Sequence, residues 1–286
     1  MTEMEPQHES GRFYDMPDPD YRKAPGLSSS MIKLLLKSPM HMVSDLLFPK
    51  LQTDQMRLGT ATHEFLFGHH GEPRMVIRPD DLSPYTKEGK KWKADQIAAG
   101  KIICDREEVE NINGMAALLH EDDEIHAALT RCDREVSCFA ELEVGDLTFP
   151  AKARIDCIPA DSDSLIDIKT CSRADDLDKL AWHIINFGYH IQALHYLKMF
   201  NATRVDGEPQ RDNYVLIFVE TERPWGVRKI TFNEEFWALA ERRWAEACLL
   251  WISCNAKRCF PGYDRGITVI KPPKVIADRY VETTFD

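Results

Sequence analysis

LTFPAKARIDCIPADSDSLIDIKT, residues 147–170, reads as two β-strands joined by a polar turn. Side chains on a strand alternate between faces, so Lys152, Arg154 and Asp156 share one face while Ala151, Ala153, Ile155 and Cys157 share the other. The same parity places Asp167 and Lys169 together and sends Ile166 and Ile168 into an apolar layer behind them. If the turn ADSDS folds the second strand back on the first, Asp156, Asp167 and Lys169 converge at one edge of a sheet.

The flanking sequence supplies the rest of that sheet. VSCFAELEV (136–144) precedes it across a Gly145-Asp146 hairpin turn, and NYVLIFVE (213–220) and WGVRKITF (225–232) follow as two further strands. Between them RADDLDKLAWHIINF and YHIQALHYLKMF form one or two helices separated by Gly188. A long amphipathic helix runs from about Glu234 to Ser253, with Asn233 as its N-cap, and an extended tail follows. On the N-terminal side Ser28 and Ser29 offer caps for a short helix, Ser38-Pro39 breaks it, and a second apolar helical turn or two follows. RLGTATHEFLFG (57–68) is a helix that carries His63 and ends at Gly68, and residues 106–129 place Val109, Ile112, Met115, Ala116 and Leu119 on one helical face. This order of helices, strands, helix and strands indicates an α/β fold with a mixed central sheet flanked by helices. Residues 27–286 read as a single domain with a helical N-terminal part. Residues 1–26, rich in Pro, Asp, Glu and Gly, read as a mobile leader, and the proline-interrupted segment 72–100 as a mobile flap.

With 43% hydrophobic residues, the 286-residue chain can bury a sizeable core. No stretch approaches a membrane span, and the start MTEMEPQHES lacks the order of a signal peptide, so no membrane association and a cytoplasmic location are expected. The eight cysteines include no CxxC pair and read as reduced thiols; Cys248 falls in an apolar helical run, so no iron–sulfur cluster is expected. A net charge of −11 argues against a protein that coats nucleic acid, because phosphate binding needs clustered Lys and Arg. It leaves room for a local basic channel drawn from Lys87, Lys90, Lys91 and Lys93 or from Arg154, Arg173, Lys198, Arg242 and Arg243.

Two carboxylates and a lysine on adjacent strands suit phosphodiester hydrolysis. Hard carboxylate oxygens favour Mg²⁺, with Mn²⁺ as a substitute, and a nearby ammonium can orient the attacking water or help it lose a proton. An Asp-x-Lys strand by itself reads first as a solvated salt bridge. The neighbourhood changes that reading. LSSSMIKLLLKSPMH, RLGTATHEFLF, RIDCI, LIDIKTCSRA, GYHIQALHY and CNAKRCFPGY occur in one order along the chain. In these motifs the sequence resembles the exonuclease VIII (RecE-like) family of the PD-(D/E)XK nuclease superfamily, phage and prophage recombination nucleases with a RecB-like nuclease domain.

The resemblance implies that His63, Asp156, Asp167 and the Ile168 carbonyl hold the metal and that Lys169 is the catalytic lysine. It implies that Gln192 and Tyr196, four residues apart on one helical face, guide the bound strand. Arg154 and Arg173 are further candidates for substrate binding, and the family's acidic residue ahead of the hairpin is Glu135 or Glu141. The implied activity is Mg²⁺-dependent 5′ to 3′ digestion of linear double-stranded DNA from its ends, leaving 3′ overhangs for a single-strand annealing recombinase. A ring-shaped homo-oligomer is implied as well. The alternatives are a RecB-like nuclease of single-stranded or flap DNA and, in another class, a non-catalytic DNA-binding recombination scaffold.

Overall fold

A computed structural model describes residues 9–49, 52–67 and 74–272 of the chain. The N-terminal part comprises β1 (Gly11–Phe13), α1 (Asp18–Lys23), α2 (Ser29–Leu35), α3 (Pro39–Leu47) and α4 (Asp54–Phe67). Ser28 caps α2 by accepting from the Met31 amide, and Ser38 caps α3 by accepting from His41, with Pro39 at the first helical position where its missing N–H costs nothing. The expected end of the His63 helix at Gly68 lies outside the described residues.

The leader takes up regular structure from Gly11 onward. β1 adds to the sheet, Gly11 opposite Phe139 and Phe13 opposite Ser137. Arg12 secures it through Glu208 at 2.8 Å and the Phe200 carbonyl at 3.0 Å, over the face of the Phe200 ring. α1 is held by Lys152, whose buried ammonium donates to the carbonyls of Tyr21, Arg22 and Ala24. Composition fails here because order comes from partners more than a hundred residues away, not from an apolar repeat of the segment's own. Residues 1–8 lie outside the described residues.

The expected flap is likewise structured beyond Arg74. β2 (Met75–Ile77) and β3 (Ile102–Cys104) form a parallel pair around α5 (Lys87–Ala98). Thr86 caps α5 by accepting from Gly89, where any β-carbon would overlap the Ser83 carbonyl. The prolines at 79 and 84 precede the helix instead of interrupting it, and the lysines of KEGKKWK ride on its exposed surface. The helical stretch after it divides at Asp122 into α6 (Arg106–Glu121) and α7 (Asp123–Thr130), because the Asp122 side chain accepts from Glu124 and Ile125 and starts a new helix.

The central sheet continues with β4 (Cys132–Val144), β5 (Leu147–Pro159) and β6 (Ser164–Cys171). α8 (Leu177–Phe187) and α9 (Tyr189–Ala202) follow, then β7 (Asn213–Glu220), β8 (Val227–Ile230) and α10 (Glu234–Lys257). Six strands run in the order β1-β4-β5-β6-β7-β8, antiparallel except for β6 and β7, which the α8-α9 crossover joins in parallel. Gly188 divides α8 from α9 in the left-handed conformation, φ +65°.

The sheet separates two cores. α2, α9 and α10 cover one face over Ala151, Ala153, Ile155, Leu165 and Leu216; α4, α6 and α7 cover the other over Cys157, Ile166, Ile168 and Ile217. Strand parity therefore holds through Ile155 and then slips: Cys157, expected on Ile155's face, packs in the opposite core, and Ile158 returns to the first. The slip coincides with Asp156 and with Glu135 on the paired strand, whose φ of +52° is rare for a side chain of its size. His195, read from the sequence as packing, is a satisfied core histidine that accepts from the Trp244 indole at 3.1 Å and donates to the Lys152 carbonyl at 3.0 Å. All eight cysteines are free thiols, and no helix among the described residues is long and apolar enough to cross a membrane.

Candidate active site

β5 and β6 meet at Cys157 opposite Ile166, and the next step along that antiparallel register brings Asp156 opposite Asp167. α4 lies across β6 with Ala61, Leu66 and Phe67 in the smaller core, which turns His63 toward the same point. Its Nε2 lies 2.9 Å from the Ile168 carbonyl oxygen and 3.9 Å from an Asp156 carboxylate oxygen. One ligand atom each from His63, Asp156 and Asp167 lie within 4.8 Å of one another. An octahedral Mg²⁺ with ligands at about 2.0–2.1 Å needs ligand atoms roughly 3 Å apart when adjacent and about 4 Å apart when opposite. One nitrogen, two carboxylate oxygens and a backbone carbonyl at these separations fit such an ion after a small contraction.

Asp167 is the anchor of the cluster, 1% exposed. Lys169 donates to one of its oxygens at 2.7 Å; the Gln192 amide at 2.9 Å and the Tyr214 hydroxyl at 3.1 Å donate to the other. Burial opposes its charge, but Lys169 and the hydrogen bonds outweigh burial and hold its carboxyl below the usual aspartate range. Asp156 goes the other way: burial, then the negative charge of Asp167, push its carboxyl well above that range. A proton on this pair therefore rests on Asp156 in preference to Asp167. Burial disfavours charge on Lys169 too, yet the two carboxylates keep it an ammonium, pushed up to about 12. Burial and the Lys169 charge hold His63 neutral, the form a metal requires.

A divalent ion that binds both carboxylates therefore competes with a proton on Asp156. Calorimetric titration of the protein with Mn²⁺ near pH 6, in buffers of different ionisation enthalpy, is expected to show release of about one proton per ion bound, falling toward zero at high pH. Binding without proton release at pH 6 would remove the assignment of a proton to Asp156.

Residues 28–271 match the family described as PDDEXK-like domain of unknown function (DUF3799). The chain belongs to this family. The PDDEXK-like assignment, together with the gathering of His63, Asp156 and Asp167 around one point, supports a nuclease that uses a divalent metal. Among solved structures, a crystal structure from Eubacterium rectale named "Putative exonuclease" aligns over 94% of this chain and 99% of its own, at 13% identity and a TM-score of 0.61, and so shares the PDDEXK-like fold. A second, SSO0001, aligns over 72% of this chain and 93% of its own at 19% identity and a TM-score of 0.30, and carries no argument. No curated protein matches.

The other sequence candidates are distributed unevenly around this PDDEXK-like centre. Glu135 stands across the β4-β5 register from Asp156, close enough for its charge to act on Asp156 and His63, whereas Glu141 pairs with Pro150 six residues away on an exposed position. The geometry thus separates two residues that the sequence left equivalent. Arg154 donates to Glu135 at 2.6 Å and to the Met16 carbonyl at 2.9 Å, which ties the leader to the site's edge. Arg173 is exposed and paired with Asp175. Gln192 reaches Asp167 directly, and the Tyr196 phenol, kept protonated chiefly by burial, lies beside Ser29 with its ring edge-on to Tyr214.

Two residues of the site were not singled out by the sequence. Tyr214 lies on β7, two positions before Leu216, the register partner of Asp167, and strand parity across the parallel pair is the clue that finds it. Lys33, on α2, donates to the Gln192 side-chain carbonyl at 3.3 Å. It came from a helix with no apparent connection to the strands.

Proposed function

We propose that the protein is a Mg²⁺-dependent exodeoxyribonuclease that digests linear duplex DNA from its ends, 5′ to 3′, leaving 3′ single strands for phage-type recombination. The convergence of His63, Asp156, Asp167 and the Ile168 carbonyl beside the Lys169 ammonium carries this reading. A non-catalytic scaffold has no use for a neutral histidine and two mutually strained carboxylates buried around one point.

When bound by His63, Asp156, Asp167 and the Ile168 carbonyl, a divalent cation supplies Lewis-acid polarisation of the scissile phosphate and a water of lowered pKa. Lys169, an ammonium here, can orient the attacking water and donate toward charge that grows on the phosphoryl oxygens. Gln192 and Tyr214 fix the Asp167 carboxylate so that its free lone pairs stay aimed into the site. Tyr196, four residues beyond Gln192 on α9, stands at the same wall and can contact the strand. A homo-oligomeric ring closed around DNA, with its acidic surface outward, and transfer of the 3′ strand to a single-strand annealing partner extend the same reading; the net charge of −11 is compatible with both.

The test compares 5′- and 3′-end-labelled linear duplex, covalently closed duplex, single-stranded circles and flaps, each with Mg²⁺ or EDTA. Mononucleotide release from the 5′ end of linear duplex alone, abolished by EDTA, is the expected result. Cleavage of single-stranded circles or flaps would replace it with a RecB-like single-strand or flap activity, and cleavage of closed duplex with an endonuclease. Binding without cleavage of any substrate would point to the scaffold.

A further inference from the structure

Lys33 is a cation placed where its energetics are unfavourable. It is partly buried and donates to Gln192, while among the described residues no carboxylate lies within ion-pair distance of it. Its neighbour in charge is another cation: Lys33 and Lys169 lie 5.7 and 5.1 Å from the centroid of one aromatic ring, Tyr189. Burial and the Lys169 charge pull Lys33 down to about 8, with Asp167 the carboxylate opposing them. The chain makes explicit room for it. A β-carbon on Gly188 would stand 2.7 Å from the Lys33 Cδ and 2.8 Å from its Cγ, so the left-handed glycine between α8 and α9 is also the gap through which this side chain reaches the site.

A lysine kept for packing would do as well as methionine, and one kept for stability would have a carboxylate of its own. Here the ammonium head is pressed toward a like charge, an arrangement that improves only when an anion arrives. Gln192 connects the two halves, its amide on Asp167 and its carbonyl on Lys33, so the cation side of the pocket is built onto the metal side.

We infer that Lys33 is a phosphate-binding residue of this site, taking a non-bridging oxygen of the bound strand at the scissile phosphate or within one nucleotide of it, alongside Lys169. The inference rests on the nuclease reading above. It gives α2 a role in substrate binding, so that the nuclease site spans both sides of the α9 wall.

The experiment measures binding of an end-bearing duplex in Ca²⁺ at several salt concentrations for the unmodified protein, Lys33→Met and Lys33→Arg. Each phosphate contact contributes about 0.9 to the slope of log K against log salt on duplex DNA, so Lys33→Met is expected to lower the slope by about one and Lys33→Arg to keep it. Neutral methylphosphonate placed at the scissile position and at each neighbour should weaken binding by the unmodified protein at one position to which Lys33→Met is indifferent. Mn²⁺ affinity without DNA should be the same for all three proteins. An unchanged slope and methylphosphonate profile in Lys33→Met, with the unmodified protein active, would overturn this inference alone. So would loss of Mn²⁺ affinity or of thermal stability in Lys33→Met, since that marks a structural role. Absence of DNA binding by the unmodified protein overturns the nuclease reading, and this inference with it.

Discussion

Asp156→Asn is expected to abolish cleavage while leaving the metal-free protein as stable as the parent or more so. The carboxyl of Asp156 is held well above the ordinary aspartate value of 3.8, chiefly by burial and then by the Asp167 charge. Its folded form therefore binds a proton more tightly than its unfolded form. The corresponding stability is fully present below 3.8 and is lost as pH rises through the folded value, because the folded state must then ionise a buried acid beside a second carboxylate. Asparagine has nearly the same shape, offers an N–H where the protonated acid offers its O–H, and cannot ionise. Thermal unfolding in EDTA should show a melting temperature that declines with pH in the parent and a flatter profile in Asp156→Asn, with the variant ahead at pH 8. Asp167 has the opposite sign, its contribution being present above the unfolded value and lost as pH falls, so it works against a decline only on the acid side. Activity has no such compensation. A cation supplies several kcal/mol of transition-state stabilisation, and losing a carboxylate ligand should lower cleavage on the order of 10³-fold or more. A parent whose stability rises from pH 5 to pH 8 in EDTA would contradict a proton on Asp156.

The contrast between these two acids is the part of the site that sequence could not have supplied. Strand parity in RIDCI and LIDIKT locates both carboxylates and Lys169, because alternation depends on neighbours in the chain. His63, Gln192 and Tyr196 are recoverable from motif order, and the helix and strand pattern from periodicity. What separates Asp156 from Asp167 is the list of donors around each: Lys169, Gln192 and Tyr214 on one, none of the three on the other. Two of those donors, Gln192 and Tyr214, come from a helix and a strand 25 and 47 positions away. The same cause hides the docking of β1, which depends on Arg12 reaching Phe200 and Glu208, and the role of Lys33, which depends on the absence of a side chain at Gly188. The slip of parity at Asp156 is hidden too, since the left-handed backbone of Glu135 across from it leaves the hydrophobic pattern of RIDCI unchanged while Cys157 faces the other core.

Asp167→Ala should lose both activity and stability, and for that reason is a poor test of catalysis on its own. Alanine leaves the Lys169 ammonium, the Gln192 amide and the Tyr214 hydroxyl facing a void without their common acceptor. Breaking a buried pair by removing one partner costs about 3–5 kcal/mol, which for a chain of this size lowers the melting temperature on the order of 10 °C. Most of that cost belongs to the stranded ammonium and not to the lost carboxylate. Adding Lys169→Met should therefore recover a large share of it, so that the double variant melts above Asp167→Ala although it carries one more substitution in the site. Cleavage would not return, because the methionine restores neither a ligand nor a donor. A double variant that melts at or below Asp167→Ala would mean that Lys169 finds another anion once Asp167 is gone, and Asp156, ionised to meet it, is the carboxylate across the strand pair placed to serve.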